Sequence, residues 1–593
     1  MDSTTFFENN SCQNYAYSED YISMLLRYSG NIESIRADLA PDCIWRINSQ
    51  FVLAYRSATG IAASPLNKFR NALYPKCYAL MDTSAITATG AITLREFPGL
   101  RLTGKDVLVG FIDTGIDYTN RLFQTYTGVT RIRAIWDQTI PSPAQNTSIN
   151  SFPYGFGTEY EAEQINRALT SSDPYEIVPS VDTNGHGTYL ASVASGTTFP
   201  EIPFTSMAPD SELLVVKLKP AKQNLRDFYG IPSTVDCFGE DDIILALQYL
   251  ITKAFQLGKA IAICLGFGTN QGDHNNSTIL EQYLSLLENN RGICIASAAG
   301  NELGYNGHFH ANASAPTGVP TTQPKQIQTA IEINVNKSSG RAKTSPIDFS
   351  LEIWGQSPDL PRLAISSPSG EKNATIPYIR ADSTTLSFLY EGTTVYIEIS
   401  STDIATGNPM YFVRFFNAAE GIWTLEVTHT QPIDAWLPVH SFLTDDIFFV
   451  RPDPDITITS PGNGSGTITV AGYNHTNDAL YVNSSRGYTR FGRIKPDIAA
   501  PSVDVYGAFL AQLPLFTRRS GTSIGAAITA GAGALLLEWG YVNGNNPNIS
   551  TRFIRVFLIR GAKRPPNRII PNRAYGYGIL DLYNSFEQFR IRD

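Results

Sequence analysis

Val107-Leu-Val-Gly-Phe-Ile112 is almost wholly apolar, and similar runs recur at 213–218, 260–265 and 293–297. Strands without polar alternation are those buried on both faces, as in parallel sheets. Between the second and third runs, Glu240-Asp-Asp-Ile-Ile-Leu-Ala-Leu-Gln-Tyr-Leu-Ile reads as a helix, its acidic residues suited to the positive N-terminal end. Strand, helix, strand repeated in this way predicts an α/β doubly wound parallel sheet with helices on both faces.

Between about 306 and 455 the rhythm breaks. Short alternating segments such as Phe349-Ser-Leu-Glu-Ile-Trp354, Thr394-Val-Tyr-Ile-Glu-Ile-Ser400, Tyr411-Phe-Val-Arg-Phe-Phe416 and Gly421-Ile-Trp-Thr-Leu-Glu-Val427 are separated by stretches rich in Pro, Gly, Asn and Ser. Such spacing predicts an inserted all-β sandwich. The α/β pattern resumes at Gly466-Thr-Ile-Thr-Val-Ala-Gly472 and ends in an apolar helix after Gly521-Thr522. Ahead of the core, residues 1–82 read as a small α+β unit. There Tyr21-Ile-Ser-Met-Leu-Leu-Arg-Tyr28 has helical spacing, Cys43 to Tyr55 has strand alternation, and Tyr74-Pro-Lys-Cys-Tyr-Ala-Leu-Met81 looks extended. The expected organisation is therefore 1–82, a core divided into 83–305 and 456–593, and an insert at 306–455.

At 593 residues several units are expected, and 42% apolar with 17% charged residues argues against disorder. The net charge of −9 disfavours nucleic acid as a partner. The first residues show no signal-peptide pattern, and no segment offers ~20 uninterrupted apolar residues, so neither secretion by that route nor a membrane span is expected. Cys12, Cys43, Cys77, Cys237, Cys264 and Cys294 fit neither a zinc site nor a dense disulfide framework, which suggests a reducing compartment.

Four short segments carry chemistry. Asp113, in Ile112-Asp-Thr-Gly115, follows a buried strand at its carboxyl end, where open α/β sheets place active sites. His186 lies between two glycines at the head of a small-residue helix, where the helix dipole favours a neutral general base. Ser523, in Ser520-Gly-Thr-Ser-Ile-Gly-Ala526, opens the apolar helix, so its backbone N–H can face a developing oxyanion. Asn301, in Ala298-Ala-Gly-Asn301, can supply a side-chain amide to the same oxyanion. Each segment also has an ordinary use in a turn or cap; the four together point to acyl transfer.

These segments, in the order Asp, His, Ser, resemble the subtilisin-like peptidases. Ser484-Ser-Arg-Gly487 and Ile494-Lys-Pro-Asp-Ile-Ala-Ala-Pro501 extend the likeness across about 83–305 and 456–593. The resemblance implies an endopeptidase with Asp113, His186 and Ser523 as triad, and Asn301 with Ser523 as oxyanion hole. It also implies that Cys264, Leu265, Gly266, Ala298, Ala299 and Gly300 line the substrate groove. Departures are Ile524, Gly525 and Ala527 after the serine, Cys264 for a usual serine, and Ser502 where glycine is common. The combination of leader, core and β insert is most similar to the clostridial Csp germination proteases. That family implies a self-cleaved chaperone-like prodomain held in cis, a jelly-roll insert, and a spore enzyme made in the mother-cell cytoplasm that activates a cortex-lytic pro-enzyme.

Self-cleavage is expected among Leu80, Met81, Asp82, Thr83 and Ser84, with 78–81 as an added strand in the groove. His308 and His310 are expected in a solvated loop, not as metal ligands. No metal or cofactor is expected, and no ligands for the calcium frequent in subtilases are assignable. A monomer acting on protein or peptide substrates is expected. The alternatives are a protease-shaped sensor or scaffold and a general nutritional protease.

Overall fold

The computed structural model describes residues 15–28, 32–59, 75–80, 87–141, 155–202, 204–313, 326–339, 342, 345–373, 376, 383–510, 516–566 and 568–590. At its centre lies a sheet whose spatial order is Ala479–Leu480, Ile468–Asn474, Ile293–Ala298, Ile261–Leu265, Leu108–Asp113, Glu212–Lys217, Ile132–Asp137 and Thr158–Glu161, with Ile498–Pro501 pairing off Ile468–Asn474. The inner pairings are parallel and the two short edge strands antiparallel. Successive side chains alternate between two buried faces, as the strand repeat requires. Val109, Phe111, Leu213 and Val215 pack under helices His186–Ser195 and Thr522–Leu537. Leu108, Ile112, Leu214 and Val216 pack under helices Glu240–Gln256 and Ile279–Leu287. Burial on both faces is why these strands read as continuous apolar runs. Thr522–Leu537 is long and apolar, but it is buried along its whole length inside this fold.

The insert is a two-sheet antiparallel sandwich. Six strands run in the order His308–Ala311, Ile433–Trp436, Phe349–Trp354, Met410–Phe416, Thr393–Ser400, Ser383–Phe388, and four in the order Arg362–Ser366, Gly421–His429, Ile327–Asn336, Asp446–Phe449. Ile331, Ile333, Trp423 and Leu425 meet Ile353, Ile397, Val413 and Phe415 between them.

The N-terminal unit departs from the expected helix at 21–28. Tyr21–Arg27 is a strand, paired antiparallel with Phe51–Ser57, which also pairs with Cys43–Arg46. The helix is Ile32–Leu39. The helical spacing misled because both faces of the strand are covered: Leu25 packs on the core helices, while Ile22, Met24 and Leu26 face Trp354, Phe412 and Trp436 of the insert. Pairing and burial on both sides override local propensity. Cys43 in this unit is disulfide-bonded, which departs from the expectation of reduced thiols.

Candidate active site

Leu108–Asp113 delivers Asp113 to the carboxyl edge of the sheet, 1% exposed. Its two oxygens each lie 2.9 Å from Nδ1 of His186. Oδ1 also accepts from the Thr114 backbone N–H (2.8 Å) and hydroxyl (3.2 Å), which fixes the carboxylate. On the other side of the ring, His186 Nε2 lies 3.4 Å from Ser523 Oγ. His186 and Ser523 are buried as well. Carboxylate, imidazole and hydroxyl thus stand in file, the arrangement in which the carboxylate sets the tautomer and the imidazole takes the hydroxyl proton.

The helix bearing His186 is anchored by a residue that motif reading passed over. Asp182 accepts from the N–H groups of Asn184 (3.1 Å) and Gly185 (2.8 Å) through Oδ1, and from the Thr188 N–H (3.0 Å) and hydroxyl (2.7 Å) through Oδ2. It thereby caps the helix start together with Asn184 Oδ1, which accepts the His186 N–H at 3.2 Å. Thr188 Oγ1 in turn accepts from the Asp117 N–H at 2.8 Å, and Thr114 Oγ1 from the Gly187 N–H at 3.0 Å. Helix and Asp113 loop are therefore bonded directly. The signal in the sequence was Asp182-Thr-Asn-Gly185, a run suited to such turns.

Asn301 follows strand Ile293–Ala298. Its Oδ1 accepts from the Thr522 N–H (3.0 Å) and hydroxyl (3.1 Å), and the Gly300 N–H donates to that same hydroxyl (3.1 Å). With its oxygen engaged in these bonds, the hydrogen-bonding group the amide has left is its N–H₂. Gly300 takes φ +112°, and a Cβ there would lie 2.7 Å from Ser485 Oγ, so only glycine fits. Ser502 and Gly525, two departures noted above, belong together: a Cβ at 525 would lie 3.0 Å from Ser502 Oγ.

Past the expected 264–266, the described contact with the N-terminal unit is made by the next two residues, Phe267 and Gly268. Cys264 and Leu265 are buried in the central sheet, opposite Phe111 and Ile112 on one side and Ala296 and Ser297 on the other. Burial, then the charge of Asp113, pushes the Cys264 thiol far above its ordinary pKa, which leaves it unreactive. A short strand, Phe267–Gly268, follows Gly266. Strand Cys77–Leu80 of the N-terminal unit lies antiparallel to it, Leu80 opposite Phe267 and Ala79 opposite Gly268, and on its other edge pairs with Phe238–Gly239. Gly266 itself abuts the site: a Cβ there would lie 3.3 Å from His186 Cε1 and 3.4 Å from Ser523 Cβ. Of the segment expected to be cleaved, only Leu80 is placed; Met81, Asp82, Thr83 and Ser84 lie outside the described residues.

His308 and His310 are not in a solvated loop. They lie on a strand, His308 buried, and both meet Asp434 Oδ1 (3.2 and 2.7 Å) at the junction of insert and core. Among the described residues no group of three or more His, Cys, Asp or Glu side chains is arranged to hold a metal.

The profile of the Subtilase family matches residues 104–360 and 452–578. The solved structure of the Clostridium perfringens CspB protease is similar over 85% of this chain and 99% of its own, with 26% identity and a TM-score of 0.71. The serine protease AprX of Bacillus subtilis (strain 168) is 31% identical over 147 residues, 22% of this chain; the match spans 31% of AprX, less than a third of that relative's length.

Proposed function

The chain belongs to the subtilase family of serine endopeptidases, and from that premise we propose that Asp113, His186 and Ser523 are its catalytic triad and that its first substrate is itself. One observation carries the reading: the unbroken file from Asp113 through His186 to Ser523. Ser523 attacks the scissile carbonyl while His186 takes its proton, and Asp113 stabilises the imidazolium. The Asn301 amide and the Ser523 N–H receive the oxyanion; Phe267–Gly268 and Phe238–Gly239 hold the substrate as a central strand. Water resolves the acyl-enzyme in the reverse sense.

Residues 1–82 act as a prodomain. Leu80 ends a strand already seated in the groove, one residue short of the position opposite Gly266, which supports a cut within 80–84. Ser523→Ala should keep the chain intact, whereas wild type should yield a new N-terminus in that window on N-terminal sequencing. A wild-type preparation showing only Met1 would overturn self-processing. Likeness to CspB over most of both chains supports limited proteolysis of a spore cortex-lytic pro-enzyme, in the mother cell or spore, as the wider role. Mass spectrometry of the termini made from a purified pro-enzyme would test it. A non-catalytic sensor is favoured by one feature, the strand occupying the groove. A fluorophosphonate label at Ser523 separates the two: labelled, processed protein is an enzyme, and unlabelled protein a scaffold.

A further inference from the structure

We propose that His440, supplied by the β insert, is a positioning residue for the oxyanion hole, holding Asn301 in place through Glu302. The proposal rests on reading the site as a serine peptidase.

Glu302 directly follows Asn301, and its side chain is 5% exposed. Its carboxylate turns to the insert: Oε2 accepts the backbone N–H of His440 at 3.0 Å, and Oε1 lies 3.0 Å from His440 Nδ1. The His440 ring stacks on Tyr305, with centroids 3.5 Å apart and planes 3° apart. On the core side the Glu302 N–H donates to Ser485 Oγ (3.1 Å), and the Ser485 N–H donates to the Gly300 carbonyl (2.8 Å). The peptides on both sides of Asn301 are therefore tied to Ser485, and the insert adds one grip, through the Glu302 side chain.

A buried carboxylate is strongly unfavourable unless its oxygens are bonded, and charge-assisted bonds are the stronger kind. Glu302 is thus committed to the place where His440 supplies two donors. Because adjacent residues share a peptide plane, a turn of Glu302 turns Asn301. An oxyanion donor works only within a few tenths of an ångström of its distance, and a shift near 1 Å can cost on the order of 100-fold in rate. His440 opens the turn His440–Phe442, whose Phe442 packs in the cluster shared with the N-terminal unit. The insert is thereby joined to the chemistry by one side chain.

The test uses the full-length processed enzyme and a fluorogenic peptide copying residues 76–86, with fluorophosphonate labelling of Ser523 measured alongside. His440→Ala should lower kcat about tenfold and leave KM within about twofold. His440→Asn, whose amide N–H can replace Nδ1–H, should recover activity to within about threefold of wild type. In an Asn301→Ala background, His440→Ala should cost less than about twofold, because its route is already cut. An equal loss in both backgrounds, or a wild-type kcat in His440→Ala, would overturn the proposal. If His440→Ala does not fold, Glu302→Gln applies the same criterion: a kcat loss confined to the Asn301 background supports the link, and one present in both backgrounds refutes it. Wild type that neither labels nor cleaves would remove the peptidase reading and this proposal together. Labelled wild type with an unaffected variant removes this one alone.

Discussion

Replacing Gly187 by alanine should disable the site while leaving every reactive group in place. Gly187 follows His186 in the first turn of its helix, and a methyl there would lie 2.2 Å from the carbonyl oxygen of Gly115 and 3.1 Å from Asp113 Cβ. Carbon and carbonyl oxygen settle at about 3.3 Å or more, so the shortfall is about 1 Å. The obstacle is backbone and cannot swing aside. The two segments are also joined by the Gly187 N–H bond to Thr114, so relief must slide the His186 helix against the Asp113 loop. A slip of about 1 Å would stretch the 2.9 Å contact between Asp113 and His186 beyond hydrogen-bond range. Misplacement of that size costs on the order of 100-fold, or about 2.7 kcal/mol of transition-state stabilisation. The overpacked interior should lose about 1–3 kcal/mol of stability. The assay is kcat and KM on the 76–86 peptide, with thermal unfolding measured in parallel. A Gly187→Ala enzyme with kcat within threefold of wild type would refute the reasoning, since the loop and helix would then have separated without consequence.

Three other outcomes are expected. Asn301→Ala should lower kcat about 10²- to 10³-fold with KM nearly unchanged; the magnitude is one measured on a subtilisin, and an unchanged kcat would remove Asn301 from the oxyanion hole. Arg490→Met should loosen insert from core by about 3–5 kcal/mol, read by denaturant unfolding, because it strips Asp434 of a 2.7 Å partner and the carbonyls of Trp354 and Gly355 of a donor. Burial alone would raise the Asp434 pKa, but Arg490, His308 and His310 outweigh it and hold it well below the ordinary carboxylate range. That stabilisation is complete above about pH 4 and lost as pH falls, so acid should weaken wild type more steeply than the variant. Lys222 binds the carbonyls of Tyr15 and Tyr21 and sits 4.9 Å from the Tyr55 ring centroid, so the N-terminal unit buries it. Burial, then the charge of Lys219, lowers its pKa to about 7, against Asp241, Asp242 and Glu19. The penalty for burying it charged is full below pH 7 and relieved as pH rises toward 10.5. After cleavage the N-terminal unit should therefore stay bound more firmly at pH 9.5 than at pH 7 in gel filtration, and Lys222→Met should flatten the difference. A difference that persists in Lys222→Met would show that another group controls it.

Asp113, His186 and Ser523 could be singled out because each stands in a short local pattern, and the sheet was legible because burial on both faces leaves apolar runs. The insert strands were legible from period-two alternation around a sandwich core. Legibility failed where a distant partner decided the outcome. Tyr21–Arg27 became a strand because Phe51–Ser57 pairs with it. His308 was drawn into the core by Asp434, which lies 126 positions further along the chain.

By itself, then, the sequence determined the class of reaction and the sheet that would carry it, since both are written in local spacing and residue type. Tertiary structure alone decided how Thr114 meets the Gly187 N–H beside His186 and how Thr522 holds Asn301 in place. It decided too that strand Cys77–Leu80 lies between Phe267–Gly268 and Phe238–Gly239 and that the insert reaches Glu302. Those contacts join residues tens to hundreds of positions apart, and their energy depends on distances and burial that come into being only when the chain closes on itself.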